Sequence, residues 1–239
     1  MNTLAGKTIV VAGATGGIGE GVTKLLLRHG ATVVALSRTE DKLQGLTTYL
    51  SRESTDNNLI TMQANLDQDQ EGTRELHRRL RDRFGSFDGA VIAIGNWGNA
   101  NNRVIDVSDE LWTQTLQDNL TSHFRALRAL VPLLKQDGAL IHLSGLSADG
   151  PYPGAGVIAM TNAAKKSLVL TMAAELEATG PRVYELILGP IRTRERVSRG
   201  LARANWYNPE DVGEFISELI QGETQASRNH LHYMVQRES

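Results

Sequence analysis

The sequence predicts an α/β domain, a doubly wound parallel sheet of about seven strands with helices on both faces. Two observations predict it. Short runs such as TIVVA and TVVALS alternate along the chain with longer segments whose apolar residues recur every three or four positions. The short runs are apolar almost throughout, not at every second residue, which is how a strand reads when helices cover both of its faces. No linker, repeat or shift in composition divides the 239 residues, so a single domain over 1–239 is expected.

Each element follows in order. Residues 7–13 read as a buried strand, and 17–29 as a helix with Ile18, Val22, Leu25 and Leu26 on one face and His29-Gly30 as its stop. A strand over 31–37 leads to a helix over 39–50 with Thr39 as its cap. Residues 58–63 suit a short strand. The helix over 69–84 carries Leu76, Leu80 and Phe84 at intervals of four. An apolar strand over 87–95 runs into a loop rich in glycine and asparagine. One long helical region is expected over 107–134, ending near Pro132. A strand over 138–144, a loop over 145–156 and a helix over 157–178 come next. They are followed by a strand over 182–188, a short helical stretch, a helix over 208–220 and a final strand over 230–235.

Composition narrows the function. Apolar residues make up 41% and charged residues 22%, which excludes disordered and low-complexity classes. The 25 Lys and Arg nearly balance the 27 Asp and Glu, which argues against nucleic acid or an anionic membrane as partner. With no cysteine there is no disulfide, thiolate nucleophile or thiolate metal site. The N-terminal apolar run enters a glycine turn and does not read as a signal peptide, and no stretch reaches the roughly 18 residues needed to span a bilayer. A soluble, cytoplasmic protein with a small-molecule substrate is the expectation.

The first strand is followed by Gly13-Ala14-Thr15-Gly16-Gly17-Ile18-Gly19, opening into a helix. Glycines here let the backbone turn sharply and bring a pyrophosphate to the helix N-terminus, where unpaired N–H groups and the dipole favour an anion. A tight structural turn is the alternative.

This G-x-x-x-G-x-G spacing, with the element order and length, resembles the short-chain dehydrogenase/reductase family over essentially the whole chain. The resemblance implies a Rossmann fold and a nicotinamide cofactor. In that family the end of the second strand reads the adenosine ribose; Ser37-Arg38, with no carboxylate, implies NADP(H). A solvated arginine at a helix start is the alternative. Asn65-Leu66 stand where the family touches the adenine, Gly95 where it lines the ligand, and Gly189, Ile191 and Thr193 in its P-G-x-x-x-T segment, with Leu188 in place of the proline. Ile92-Ala93-Ile94 replace the family's usual Asn-Asn-Ala.

The family's chemistry uses a tyrosine proton donor four residues before a lysine, a serine that orients the carbonyl, and an asparagine that supports the lysine. Asn119 and Lys165 match. The tyrosine position is Thr161, and the enoyl-reductase position, seven before the lysine, is Ile158. The usual Ser-Ser pair reads Ser144-Gly145, with Ser147 further into the loop. Tyr152 in GPYPG is a conceivable substitute donor or else a turn tyrosine, Thr161 a conceivable holder of water, and His142 a strand histidine facing core or helix. A positioned general acid contributes about 10²–10⁴ in rate, so the standard carbonyl reduction is expected to be slow or absent.

Around this centre, the loop over 95–102 offers Asn96, Trp97, Asn99, Asn101 and Asn102 as ligand groups or as turn formers. The lid segment over 191–207 carries Arg192, Arg194, Arg196, Arg199 and Arg203, suited to an anionic substrate or to solvent, followed by Trp206 and Tyr207. His230 and His232 lack a visible third ligand, so no metal is expected. The family pairs through its fourth and fifth helices, implying a homodimer or homotetramer. Three functions remain open: an NADP(H) oxidoreductase with an altered site, a non-catalytic NADP(H)-binding regulator or sensor, and a repurposed non-redox enzyme.

Overall fold

The computed structural model describes residues 3–52, 58–66, 69–97 and 101–236. Seven strands form one sheet: β1 (Thr8–Ala12), β2 (Thr32–Ser37), β3 (Leu59–Gln63), β4 (Phe87–Ile92), β5 (Leu134–Gly145), β6 (Arg182–Leu188) and β7 (Leu231–Met234). All pairs are parallel, in the order β3-β2-β1-β4-β5-β6-β7. The order reverses direction between β1 and β4, where a doubly wound sheet opens a crevice at the carboxyl ends of its strands.

Alternate residues of each strand feed two cores. Ile9 and Val11 join Val22 and Leu26 of α1 (Gly17–Arg28), Leu43, Leu46 and Leu50 of α2 (Glu40–Ser51), and a C-terminal helix described below. Val10 and Ala12 face the other way, onto Leu76 and Leu80 of α3 (Gln70–Phe84) and the later helices of that face. Asp69 caps α3 by accepting from the Gly72 N–H at 3.0 Å. Thr39 occupies the cap position of α2, but its side chain makes no capping bond, a correction to the expectation that it would.

The region over 107–134 departs furthest from its prediction. It begins as α4 (Asp109–Leu116), widens through a π turn over Gln117–Thr121, continues as α5 (Ser122–Leu130) and tightens into a 3₁₀ turn over Val131–Leu133 at Pro132. Leu134 already pairs with Phe87, so β5 starts four residues earlier than its apolar run, with a register shift between Phe87 and Gly89. The signal was hidden because Lys135, Gln136 and Asp137 are exposed strand residues whose polarity reads as loop.

Three helices complete the chain: α6 (Gly156–Leu176), α7 (Arg194–Ser198) and α8 (Pro209–Gln221). Asn208 and Asp211 form a capping box at the start of α8, whose Val212, Ile216 and Ile220 close the first core. Leu168, Met172 and Leu176 of α6 are half-buried against the second. No helix among the described residues is long and apolar enough to cross a membrane.

Candidate functional site

The chain leaves β1 at Gly13, whose φ of +84° is a left-handed conformation that suits glycine. The Gly16 N–H donates to the Gly13 carbonyl at 3.0 Å, and the Glu20 N–H to Gly16 at 2.8 Å. Gly16 is then the N-cap of α1, and no side chain caps the helix. Its first-turn N–H groups thus meet no side-chain acceptor at the cap, which suits an anion. A Cβ at Gly13 would lie 2.6 Å from the Ala93 carbonyl oxygen, and one at Gly19 2.1 Å from that of Gly13. The loop lies flat against β4 only because both are glycine.

A cleft of about 520 Å³ extends from this loop across the ends of β2, β3 and β4. Gly13, Thr15, Gly16, Ser37, Arg38, Asn65, Leu66 and Gly95 line it, the set read from the sequence for this end. The Thr15 and Ser37 hydroxyls are 2.8 Å apart, tying the loop to the end of β2. The Gln63 side chain donates to the Arg38 carbonyl at 2.9 Å and sets that backbone. Lys42 lines the same wall, four residues after Arg38 in the first turn of α2. Lys42 carries no motif of its own, and its spacing from Arg38 is the only sign of it in the sequence. No carboxylate lies between Ser37 and Leu66 in this wall among the described residues.

Gly17, Ile18 and Gly19 form the first turn of α1 and do not line the cleft. Gly17 is pressed against Thr193, where an added Cβ would come within 2.8 Å of the threonine methyl. Thr193 thereby seats the segment after β6 on the helix N-terminus, and its hydroxyl caps α7 by accepting from the Arg196 N–H at 3.3 Å. Gly189 has a different reason to be glycine: a Cβ would lie 2.3 Å from the Val235 carbonyl oxygen, and its N–H joins β7 by donating to Met234. Ile191 is buried in the first core. The sheet and the core therefore account for these two residues, which the sequence placed on the ligand.

At the other end of the cleft, Asn119 sits in the π turn, buried. Its Oδ1 accepts from the Asn96 N–H at 3.0 Å and its Nδ2 donates to the Asn96 carbonyl at 2.9 Å. The π turn aims this amide at the loop backbone, a placement the extra residue of a π turn makes possible. Asn96 also donates to Asp118 at 2.9 Å, and Asn102 donates its N–H to the Gly154 carbonyl at 3.0 Å. A smaller cavity of about 270 Å³ lies between this loop and α4. Asn99 lies outside the described residues.

Lys165 projects inward from α6 and is 3% exposed. Desolvation by burial lowers its amine from the ordinary 10.5 to about 8, partly opposed by the Glu185 carboxylate. Ser144 is buried on the same side of β5, and its hydroxyl has no hydrogen-bond partner among the described residues. A Cβ at Gly145 would lie 3.0 Å from the Asn162 side-chain nitrogen, which donates to the Ser147 hydroxyl at 2.9 Å. Asn162 and Ser147 thus occupy the space beside the family's serine position.

Two suggested substitutes for tyrosine are engaged in other contacts. The Thr161 hydroxyl is fully buried and donates to the Ile158 carbonyl at 2.8 Å, which closes it to water. Tyr152 is exposed and packs edge-on against Trp97, with ring centroids 5.7 Å apart. The arginines of the lid are also largely engaged. Arg194 makes a bidentate pair with Glu20, at 3.1 and 2.8 Å, over the Tyr49 ring; Arg196 donates to the Ile191 carbonyl, and Arg199 to Glu195. They fasten the segment to α1 and to itself. His230 and His232 contact the carbonyls of Val183 and Asn229.

The buried amine makes a pH prediction. Below about pH 8 both folded and unfolded chains hold the Lys165 proton, and the folded state carries the desolvation cost. Between about 8 and 10.5 the unfolded chain still binds the proton that the folded chain has released, so this group makes stability rise with pH. Urea unfolding of wild type and Lys165→Met across this window is expected to give a difference curve favouring wild type increasingly with pH, by a total on the order of 2–3 kcal/mol. A flat difference curve would refute the assignment.

Residues 13–214 match the family model described as enoyl-(acyl carrier protein) reductase. An uncharacterized oxidoreductase of Staphylococcus epidermidis is 30% identical over 193 residues, covering 78% of this chain and 79% of that protein. A structure described as a short-chain dehydrogenase from Pseudomonas syringae superposes with a TM-score of 0.85 at 27% identity, covering 97% of this chain and 96% of the other. Another, from Shigella flexneri and described as complexed with NADP, gives 0.83 at 24% identity over 97% and 98%. By its matching family model, its relatives and its fold, the chain belongs to the short-chain dehydrogenase/reductase family.

Proposed function

We propose that the chain is an NADP(H)-dependent oxidoreductase acting on a carbonyl or alcohol, with an altered proton-donating site. The observation that carries this reading is the wall formed by Ser37, Arg38 and Lys42 at the end of β2, with no carboxylate among the described residues from Ser37 to Leu66 that line the cleft. A 2′-hydroxyl calls for a carboxylate there, whereas a 2′-phosphate calls for cations. The glycine loop suits a pyrophosphate, since it ends at the N-terminus of α1, where no side chain caps the helix. The Shigella flexneri structure described as an NADP complex supports the same choice.

Bound at this site, the cofactor supplies or accepts a hydride at its nicotinamide. Lys165 holds a proton in a buried position, the unpartnered Ser144 hydroxyl is available to orient a substrate oxygen, and Asn119 fixes the loop at Asn96. No phenol stands at the position of Thr161. That absence favours a second reading, a nucleotide-binding regulator without turnover.

Titration with NADPH and NADH, followed by ligand fluorescence and protein melting, tests the proposal. NADPH is expected to bind at least tenfold more tightly than NADH and to raise the melting temperature, as any ligand selective for the folded state does. Failure to bind either nucleotide would sink both readings. NADPH binding without turnover over a broad panel of carbonyls and alcohols would select the regulator.

A further inference from the structure

Between the sheet and helices α5 and α6 lies a chain of ionisable side chains for which the reaction proposed above has no role. Glu185 of β6 and His142 of β5 are register partners, and both are fully buried. His142 Nδ1 is 2.6 Å from Glu185 Oε2, and His142 Nε2 is 2.8 Å from Nδ1 of His123, fully buried on α5. At the ends, His123 Nε2 and Glu185 Oε1 have no hydrogen-bond partner among the described residues. The Ile94 carbonyl stands beside the His123 ring as an acceptor for its protonated form, and Ile94 lines the nucleotide cleft. Lys165 shares the enclosure: its charge acts on His123, and Glu185 acts on it.

Burying a carboxylate and two imidazoles is costly compared with apolar side chains of the same volume, so their presence asks for a reason beyond packing. With one proton on each ring, the Glu185 carboxylate accepts from His142 Nδ1–H, His142 Nε2 accepts from His123 Nδ1–H, and His123 Nε2 keeps a lone pair. Both rings are then Nδ1–H tautomers. Burial first, then the Lys165 ammonium, hold the His123 ring well below its ordinary 6.5, so positive charge does not rest there.

We propose that Glu185, His142 and His123 form a buried store for one proton that loads at His123 Nε2 and sets the charge of Lys165. On loading, a proton bonds to His123 Nε2, facing Ile94, and the proton on His123 Nδ1 passes to His142 Nε2. His123 remains neutral as its other tautomer. The positive charge comes to rest on His142 against the Glu185 carboxylate, so one proton enters and the negative charge that favours the Lys165 ammonium is offset. Resting on the oxidoreductase reading, this store tunes through its charge how firmly Lys165 holds its proton. Its members act through that lysine and are positioning residues.

Glu185 from β6 and His123 from α5 interact electrostatically with Lys165, and His142 from β5 joins the two by hydrogen bonds. The neighbouring titratable groups are otherwise engaged, Asp149 and Tyr233 by Lys166, and Asp118 by Asn96 and Gln114.

The test is nuclear magnetic resonance of the full chain labelled with ¹⁵N and ¹³C, without nucleotide and then with NADPH. At high pH both His123 and His142 are expected to show the Nδ1–H pattern. As pH falls, His142 should become doubly protonated while His123 switches to Nε2–H in the same step. In Glu185→Gln that joint step should vanish, and the midpoint of the Lys165 Cε titration should fall by about one pH unit, a tenfold loss of proton affinity. Rings that keep Nε2–H and titrate separately, or a Lys165 midpoint that ignores Glu185→Gln, would overturn the proposal. Should that variant not fold, the wild-type tautomers decide alone. The ligand-free spectra stand whether or not NADPH binds, so the loss of NADPH binding would sink the oxidoreductase reading without touching the store.

Discussion

Replacing Gly19 by alanine is expected to abolish NADPH binding and to lower the melting temperature by roughly 2–12 °C, corresponding to about 1–3 kcal/mol of overpacking in a domain of this size. The added Cβ would lie 2.1 Å from the Gly13 carbonyl oxygen and 2.9 Å from its carbon, all backbone atoms with no side chain that could move aside. Gly13 in turn lies against Ala93 and Ile94, so the loop cannot retreat toward β4. It can only lift, which carries the N–H groups at the start of α1 away from the anion they would hold. Gly45→Ala is the matched control: it lies in α2 with nothing within 4 Å of its added Cβ. Alanine is the better helix former by about 0.5–1 kcal/mol, so this variant should melt higher with its NADPH affinity unchanged. Equal behaviour of the two variants would mean that the loop geometry is not what the site depends on.

The sequence carried most of the sheet, because buried parallel strands such as TIVVA and RVYELIL have no other reading, and their bounds fall within two or three residues of the observed ones. It failed where polarity and structure part. The first residues of β5 are exposed and polar, and the π turn over Gln117–Thr121 leaves no mark on helical periodicity. In the site, the cleft end nearest β2 was legible because glycine loops and cations announce themselves locally. The face beneath Lys165 was less so. Glu185 is a lone carboxylate in an apolar strand and was a visible signal, but its partners lie 43 residues away on β5 and, through that ring, on α5. Only strand register joins them. Gly189 shows the converse, a residue that matches a ligand motif and is explained by the approach of β7.

Arg38→Ala is expected to weaken NADPH binding about tenfold, and Arg38→Ala with Lys42→Ala about 10²-fold, while NADH affinity changes by less than about threefold. Both side chains are exposed at the rim of the cleft, so each contact with a 2′-phosphate is screened and belongs near the lower end of the 1.5–3 kcal/mol range for charged hydrogen bonds. Both line the same stretch of the cleft, and their effects should be close to additive. The same exposure predicts the salt dependence. Raising ionic strength from 0.05 to 0.5 M should erode the NADPH preference of wild type and leave the double variant almost unmoved. A general loss of both nucleotides in the double variant would instead mean that these cations shape the end of β2 and do not read the phosphate. The selectivity ratio, measured at two salt concentrations, separates charge from shape because the Thr15–Ser37 contact and the glycine loop are untouched by either substitution.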